Sequence, residues 1–251
     1  MKSTTPTVIL FVVISAVCGG SRVEASQEQA DLAPLPLELP EPFFGGTPWD
    51  GPLPPRFDDD LYKTRPPFMA PKGTRNVAFK KGVTSSAPTM LGGLEQITDG
   101  DKCFHEHTSQ VQLPPGVQWV QVDLQEEFNI YAILLWHFHV GRNIYWDVTV
   151  RISNTSDFTG NVVTVYSNDI DNSSGFGLGQ DNRYFESHEG RLIDAKGVSG
   201  RYVRFYSNGN FWDDFNSYAE VEVYGLPMVT KDVPEQDAPK QTKARHHERI
   251  R

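Results

Sequence analysis

The apolar stretch at residues 130–136 constrains the fold of this chain more than any other feature. Its sequence is IYAILLW, so odd-numbered and even-numbered positions alike are apolar or aromatic. A strand with two apolar faces has to be covered on both sides by other parts of the protein. The stretch is also much shorter than the roughly 20 apolar residues that span a bilayer. It therefore predicts a buried, central β-strand.

Strands with only one buried face are predicted around this central strand. Apolar and polar residues alternate at residues 119–124, 147–153, 202–206 and 220–224. A period of two is typical of antiparallel strands that face the core on one side and solvent on the other. Turn-forming clusters separate the segments, and no amphipathic helical pattern competes. The sequence therefore predicts an all-β fold, an antiparallel β-sandwich.

The N-terminus resembles an export signal. Lys2 precedes a short apolar run, and a small-residue cleavage site ends at Ala25, so residues 1–25 are predicted to be removed. This predicts a secreted or periplasmic protein. Cys18, which closes the apolar run, leaves a lipoprotein anchor as the alternative. After cleavage Cys103 is the one remaining cysteine, which excludes an intramolecular disulfide.

The rest of the chain divides into three parts. Residues 26–75 are rich in proline, which fixes φ and removes a backbone donor, and they predict an extended linker. This segment holds more apolar side chains than a solvated spacer needs, so part of it is expected to pack against the domain. Residues 76–226 are the predicted domain. The polar, aperiodic residues 227–251 predict a disordered tail.

The formal net charge of −9 restricts the partners. Neutralising nucleic-acid phosphates requires a basic surface, so nucleic acid is not an expected partner. Anionic membrane surfaces are disfavoured for the same reason, and no apolar stretch is long enough for an integral membrane segment. The charge favours neutral ligands or cations.

Several motifs follow one another in a specific order along the predicted domain. They are NVAFKKGVTSS from position 76, ITDGD from 97, WVQVDL from 119, IYAILLWH from 130, GRYVRFY from 200 and EVEVYG from 220. Together they resemble the discoidin, or coagulation factor 5/8 type C, domain family, which has a galactose-binding-like fold. The resemblance implies a β-sandwich with jelly-roll topology that binds a ligand and catalyses no reaction. No cysteine lies beside either end of the domain, which favours a bacterial-type member.

Asp99 and Asp101 offer two carboxylates in an Asp-Gly-Asp turn, and carboxylate oxygens are ligands that calcium prefers. The resemblance implies a structural calcium ion that joins this turn to the last strand. Its implied ligands are the carboxylates of Asp99, Asp101 and Glu220 and the carbonyls of Gln96 and Ala219. The alternative is that the two aspartates only accept hydrogen bonds from the amides of their own turn.

A second oxygen-rich loop contains Asp169, Asp171, Ser173 and Asp181. It does not match the EF-hand pattern, because Ser174 stands where the turn glycine is required. Its glycines also do not match the dinucleotide-binding pattern. We interpret it as a polar, glycine-rich surface loop.

The histidines suggest a different site. His137 and His139 are two positions apart on a predicted strand and so share one face, and Cys103, His105 and His107 repeat this spacing. If the two segments met, they would offer ligands for zinc or copper, the basis of a metal-dependent enzyme. The alternative is that these are surface histidines near the end of a strand.

Carbohydrate recognition requires aromatic faces that stack on C–H surfaces and polar groups that fix the hydroxyls. Residues of both kinds occur in two predicted loop regions. The candidate sugar-binding residues are His137, His139, Arg142, Tyr145, Trp146, Asn208, Asn210 and Trp212. Loop aromatics can equally serve a protein contact, which keeps an adhesion module of the cell envelope open.

An enzyme is not favoured, since neither a G-x-S-x-G nor an H-E-x-x-H motif occurs. The sequence therefore predicts an exported, non-catalytic module that binds carbohydrate. Calcium is its one expected cofactor, and a glycan is its expected partner.

Overall fold

Three long strands organise the fold of the computed structural model. The structure describes residues 31–42, 51–58, 63–103, 110–139, 141 and 143–228. Several predictions lie outside the described residues: those for the export signal with Cys18, for His105, His107 and Arg142, and for the tail after Met228.

Most of the described strands are short, and three have 12 to 20 residues. In chain order they are β1 (Leu32–Pro34), β2 (Phe57–Asp58), β3 (Met69–Pro71), β4 (Arg75–Asn76), β5 (Gly82–Ser85), β6 (Val111–Leu113), β7 (Gln118–His137), β8 (Thr149–Ser153), β9 (Val162–Ser167), β10 (Arg183–Tyr184), β11 (Arg191–Ser207) and β12 (Asn216–Pro227). A 3-10 helix covers Leu94–Thr98. In the described part of the chain, no helix has the length and apolarity needed to cross a membrane.

The long strands β7, β11 and β12 form the centre of one antiparallel sheet with the order β4-β12-β7-β11-β8-β9. β5 pairs with the first half of β7, and β12 pairs with its second half. Between the halves, Gln125 has a φ of 71°, which turns the strand. Apolar side chains of both halves then meet in a single core, so the sheet folds over itself. The predicted all-β, antiparallel β-sandwich is confirmed.

The second half of β7 is the central strand that the apolar stretch predicted. It pairs with β11 on one side and with β12 on the other. One of its faces contributes Ile133 and Leu135 to the main core, and the other contributes Leu134 and Trp136 to a second apolar cluster. All four side chains are fully buried. Both faces are covered, as the sequence predicted.

The second cluster is covered by the proline-rich segment. Leu35, Leu37 and Phe68 pack against it, and the Leu35 amide donates to the Phe68 carbonyl at 2.9 Å. β1 and β3 form a two-stranded pair within this segment, and β2 pairs with β10. We call the described part of residues 32–71 the strap. The structure thus shows the expected packing of part of the linker against the domain.

Arg65 is one of two arginines that also bond the strap to the domain. The guanidinium of Arg65 donates to the carbonyls of Glu189 and Gly190 at 2.9 and 3.1 Å. Gly190 has a φ of 63°, and a Cβ on it would lie 2.5 Å from the ring of Trp136. Only glycine therefore allows this turn to approach the buried tryptophan.

We predict that the strap contributes to stability. The double variant Leu35→Ala, Leu37→Ala should lower the free energy of unfolding by roughly 2 kcal/mol, since fully buried leucines cost about 2–5 kcal/mol each and these are half-buried. Urea denaturation measures the change. Leu39→Ala, on the same segment but exposed, is the matched control. Equal stability of the double variant and the control would show that the strap packing contributes nothing.

Candidate functional site

Two loops at one end of the sandwich are joined along their backbones. The Trp146 amide donates to the Gly209 carbonyl at 3.1 Å, and the Asn208 amide donates to the Trp146 carbonyl at 3.0 Å. The two groups of residues that the sequence assigned to separate loops therefore lie side by side. We call residues 143–148 and 208–215 the end-loop pair.

The turn at Gly209 requires glycine, because its φ is 77° and a Cβ there would lie 3.1 Å from the Cα of Asp214. Its amide donates to Oδ1 of the buried Asn216 at 2.9 Å. Nδ2 of Asn216 donates in turn to the carbonyls of Pro114 and Gly116 at 2.8 and 3.0 Å. The second loop is therefore fixed to a neighbouring turn by one buried amide.

Asn210 shapes the tip of the same loop. Its Oδ1 accepts the amide hydrogens of Trp212 and Asp213 at 2.9 and 3.3 Å. Its Nδ2 donates to Asp213 Oδ1 at 2.6 Å and to the Phe215 carbonyl at 2.9 Å. The side-chain amide of Asn210 is buried and fully used. We therefore assign Asn210 to holding the loop, where the sequence suggested a contact with sugar.

Two neighbouring aromatic side chains of the end-loop pair are exposed. Trp212 is 65% exposed and Phe211 is 45% exposed, and their rings meet edge to face with centroids 5.3 Å apart. Trp146 is half-buried, and the guanidinium of Arg183 lies 5.0 Å from its ring centroid. The predicted residues Trp146 and Trp212 thus belong to one surface, with Arg183 beside it.

His137 and Tyr145 lie inside the protein. The Nδ1 of His137 donates to Glu186 Oε1 at 2.7 Å, and both side chains are fully buried. The ring of Tyr145 stacks on that of His137 at 4.1 Å. Burial raises the pKa of Tyr145 well above its ordinary value. Neither ring offers a face to a ligand, so the structure corrects the prediction that these two residues contact a sugar.

His139 is also mostly buried. Its Nδ1 donates to the His137 carbonyl at 3.1 Å, and burial lowers its pKa. The alternative of two surface histidines is therefore wrong as well, since both rings lie beneath the surface. Of the candidate sugar-binding residues, Trp146, Asn208 and Trp212 keep accessible surface.

The transition-metal hypothesis has no assembled ligand set among the described residues. The one group of three or more potential ligands found there consists of Asp147, Asp169 and Asp171, whose carboxylate oxygens lie within 4.8 Å of one another. His137, His139 and Cys103 do not form such a group in the described ranges.

The three-aspartate cluster could hold a metal such as calcium, but its carboxylates already accept hydrogen bonds. Asp169 accepts the amides of Asp171, Ser173 and Ser174 at 3.0–3.3 Å. Asp147 Oδ2 accepts from the Ser173 hydroxyl at 2.5 Å. These bonds close the glycine-rich loop onto the sheet. They agree with its interpretation as a polar loop.

The predicted calcium ligands lie around the Asp-Gly-Asp turn. Asp99 Oδ1 accepts the Asp101 amide at 2.8 Å, and Asp101 Oδ1 accepts the Cys103 amide at 3.0 Å. These are the bonds of the alternative interpretation. The turn also reaches the last strand, where the Gly100 amide donates to Glu220 Oε2 at 3.2 Å.

Glu220 is a buried carboxyl beside this turn, although the carboxylates of Asp99, Asp101 and Glu220 do not come together as those of the three-aspartate cluster do. Its side chain is fully buried, and its Oε1 has no hydrogen-bond partner among the described residues. Its pKa is raised to about 9, mainly by burial; the carboxylates of Glu222 and Asp99 contribute to the rise, while the hydrogen bond from the Gly100 amide and the charge of Lys102 oppose it. A hard divalent cation would supply the positive counter-charge that the ionised form of this buried carboxylate needs. Asp99, Asp101 and Glu220, with the carbonyls of Gln96 and Ala219, remain the predicted ligands.

Two residues that the sequence analysis did not single out contact the candidate sugar-binding residues. Glu186 pairs with His137 across 49 positions, and Arg183 lies over Trp146. No motif surrounds either residue, and their roles arise only when distant loops pack together. The burial of the His137–Glu186 pair results from the packing of distant segments and cannot be recognised in the local sequence.

The buried carboxyl predicts a pH dependence of stability. The pKa of Glu220 rises from an ordinary 4.5 to about 9 on folding. Without metal, its contribution to stability is therefore fully present below pH 4.5 and is lost as the pH rises towards 9. In urea denaturation, the free-energy difference between the wild type and Glu220→Gln should follow this course. A difference that does not change with pH would contradict the assignment.

Calcium should oppose this loss, because it binds the ionised carboxylate. Near neutral pH, calcium is expected to raise the melting temperature of the wild type relative to chelator, since only the folded state binds it. Glu220→Gln, Asp99→Ala and Asp101→Ala should abolish the increase. The exposed Glu95→Gln, on the adjacent 3-10 helix, should retain it. An equal melting temperature of the wild type in calcium and in chelator would refute the site.

Breaking the buried histidine–glutamate pair should destabilise the fold. We expect His137→Ala to lower the free energy of unfolding by about 3 kcal/mol or more, because Glu186 is left without a partner in the interior. His188→Ala, which keeps the carbonyl that accepts from Trp136 Nε1, is the matched control.

Elemental analysis tests the rival interpretation of His137 as a metal ligand. Stoichiometric zinc or copper that His137→Ala removes would support a metal site instead.

No protein-family model matches the sequence, and no curated protein matches it. Solved structures similar to this chain include chitosan-binding module 1 of a chitosanase/glucanase from Paenibacillus sp. IK-5, with 22% identity, a TM-score of 0.43, and coverage of 60% of this chain and 99% of that chain. CpGH89CBM32-4 from Clostridium perfringens, in complex with GlcNAc-alpha-1,4-galactose, has 16% identity and a TM-score of 0.44 over 62% and 97%. A fucose-binding module from Streptococcus pneumoniae has 19% identity and a TM-score of 0.43 over 61% and 98%. Two of these structural neighbours are thus a chitosan-binding and a fucose-binding module, and the third was solved in complex with a disaccharide.

Proposed function

We propose that this chain is an exported, non-catalytic module that binds carbohydrate through its end-loop pair. The observation that carries the proposal is the exposed edge-to-face pair of Trp212 and Phe211. Single exposed aromatic side chains are common, but exposed apolar side chains that adjoin each other mark a contact site more often. An aromatic face that stacks on C–H groups suits a sugar ring.

The loop that carries Trp212 is held in place before any ligand arrives. Asn210 and Asn216 use their side-chain amides to hold its backbone, and its other edge is bonded to the loop of Trp146. A site that is already ordered loses little conformational entropy on binding. This rigidity favours recognition by a fixed aromatic surface.

Polar groups next to the rings supply hydrogen bonds to hydroxyls. The carboxylate of Asp214 is exposed two positions after Trp212. Arg183 lies over Trp146 with 11% of its side chain exposed, and its guanidinium offers donors there. Asn208 is half-buried and donates to Asp147 Oδ2 at 2.9 Å, which leaves its carbonyl oxygen as an acceptor. Aromatic faces combined with donors and acceptors are what a sugar site requires.

The rest of the proposal follows from the sequence. The N-terminal signal supports export. An exported protein would meet extracellular or cell-surface glycans. The resemblance to discoidin-type domains supports a binding role without catalysis. Calcium is proposed as a structural ion near Glu220, away from the ligand.

A glycan array of the purified protein, followed by calorimetry with the best ligand, tests the proposal. Trp212→Ala should weaken binding by about tenfold or more, equivalent to roughly 1.4 kcal/mol. Its fold should be intact, because the side chain is mostly exposed. Phe79→Ala removes another exposed aromatic side chain, outside the end-loop pair, and should bind as the wild type does.

Two outcomes would count against the proposal. The absence of saturable binding to any glycan, with a protein partner recovered from envelope extracts through Trp212, would favour the adhesion module. Equal losses in Trp212→Ala and Phe79→Ala would place the glycan elsewhere on the molecule.

A further inference from the structure

Two arginines stand side by side on the outer face of the sheet. Arg204 on β11 is the direct partner of Arg151 on β8 in the antiparallel register. Their neighbours along the strands, among them Val150, Ile152 and Val203, point into the core. Arg151 and Arg204 therefore point away from it, on strands that lead directly into the two loops of the end-loop pair.

Arg204 is held in a fixed orientation. Its guanidinium lies between the rings of Trp119 and Phe158, at 4.1 and 4.2 Å from their centroids. Its Nε donates to Gln121 Oε1 at 2.5 Å, and one terminal nitrogen donates to the Ser156 carbonyl at 2.8 Å. All these partners are neutral. The positive charge of Arg204 is oriented but not neutralised.

Arg151 has even fewer partners. Its guanidinium lies 4.7 Å from the ring centroid of Phe176, which itself packs on Tyr206 at 4.5 Å. Its Nε is buried and has no hydrogen-bond partner among the described residues. No carboxylate of the described residues forms an ion pair with Arg151 or Arg204.

Other arginines of the described residues do have a carboxylate nearby. Four other arginines lie within 4.0 Å of a carboxylate: Arg65, Arg183, Arg191 and Arg201. The chain also carries a net charge of −9, so carboxylates are abundant. Like charges at directly opposed positions of neighbouring strands repel each other. An anion between Arg151 and Arg204 would remove this repulsion.

The aromatic surroundings indicate what kind of anion fits. Phe176 is 39% exposed and Trp119 is half-buried, and they flank the two guanidinium groups. A guanidinium can bind a carboxylate through two parallel hydrogen bonds. An aromatic ring beside it can stack on the pyranose that carries the carboxylate. An inorganic anion would make no use of these rings.

We propose that this surface binds an acidic polysaccharide through the carboxylates of its uronic acid residues. We call it the arginine face, defined by Trp119, Arg151, Phe176 and Arg204. Its charge is complementary to such a polymer, although the whole protein is acidic. It is a second ligand surface, beside the end-loop pair and built from different side chains.

Binding of the full mature chain to polygalacturonate, measured at low salt by affinity electrophoresis and calorimetry, tests the proposal. The wild type should bind, and binding should weaken with added salt because exposed charges are screened. Arg151→Gln should weaken it by about tenfold or more. Arg201→Gln also removes a positive charge from β11. The guanidinium of Arg201, however, is already neutralised by Asp123, to which it donates two hydrogen bonds of 2.7 and 2.8 Å. This matched control should bind as the wild type does.

Further variants keep the outcome interpretable. Arg151→Lys keeps the charge without the planar pair of donors and should bind with intermediate strength. Trp212→Ala should bind polygalacturonate normally, so failure at the arginine face and failure at the end-loop pair can be distinguished. Melting temperatures check that each variant is folded.

Three results would overturn the proposal. The first is no binding of polygalacturonate by the folded wild type. The second is an equal loss in Arg151→Gln and Arg201→Gln, which would indicate a response to net charge alone. The third is equal affinity for single-stranded DNA, which would indicate a general polyanion surface in which the sugar ring has no role.

Discussion

The rest of the structure depends on a strand that must be buried on both faces. In the second half of β7, Ile133 and Leu135 point into the sandwich core, and Leu134 and Trp136 point to the opposite face of the sheet. A half-buried sheet would leave the second set in water, at a cost of about 1.5–3 kcal/mol for each large side chain. The strap removes this cost. The proline-rich segment is therefore part of the folded unit, and its prolines suit a layer that makes few ladder hydrogen bonds.

The same strand sets the position of the end-loop pair. Where β7 ends, His137 turns inward to Glu186 and stacks with Tyr145, so a buried polar junction fixes the start of the loops. The loop after this junction bonds to the loop between β11 and β12. A rigid, buried contact below thus orders an exposed aromatic surface above. Function sits on loops, but the precision of these loops comes from the sheet.

Local patterns were sufficient to predict β7, β8, β11 and β12, although they divided β7 into two strands and did not indicate the shorter strands such as β6 and β9. Alternation at residues 119–124 and 202–206 reflects the packing of Val122 and Val203 in one core, and a period of two is a property of each strand by itself. The sites were less predictable because they depend on pairing between distant segments. A histidine at a strand end looks the same whether it faces solvent or Glu186. The neighbouring positions of Arg151 and Arg204 are set by register, which a single sequence does not reveal.

The strap has a mechanical consequence. It is held on the domain by Leu35, Leu37 and Phe68 and by the polar contacts of Arg56, Asp58 and Arg65. Detachment of the strap would uncover Leu134 and Trp136 while the main core stayed closed. An exposed apolar face of this kind favours self-association. The contacts of the strap therefore act as a cover for the back of the central strand.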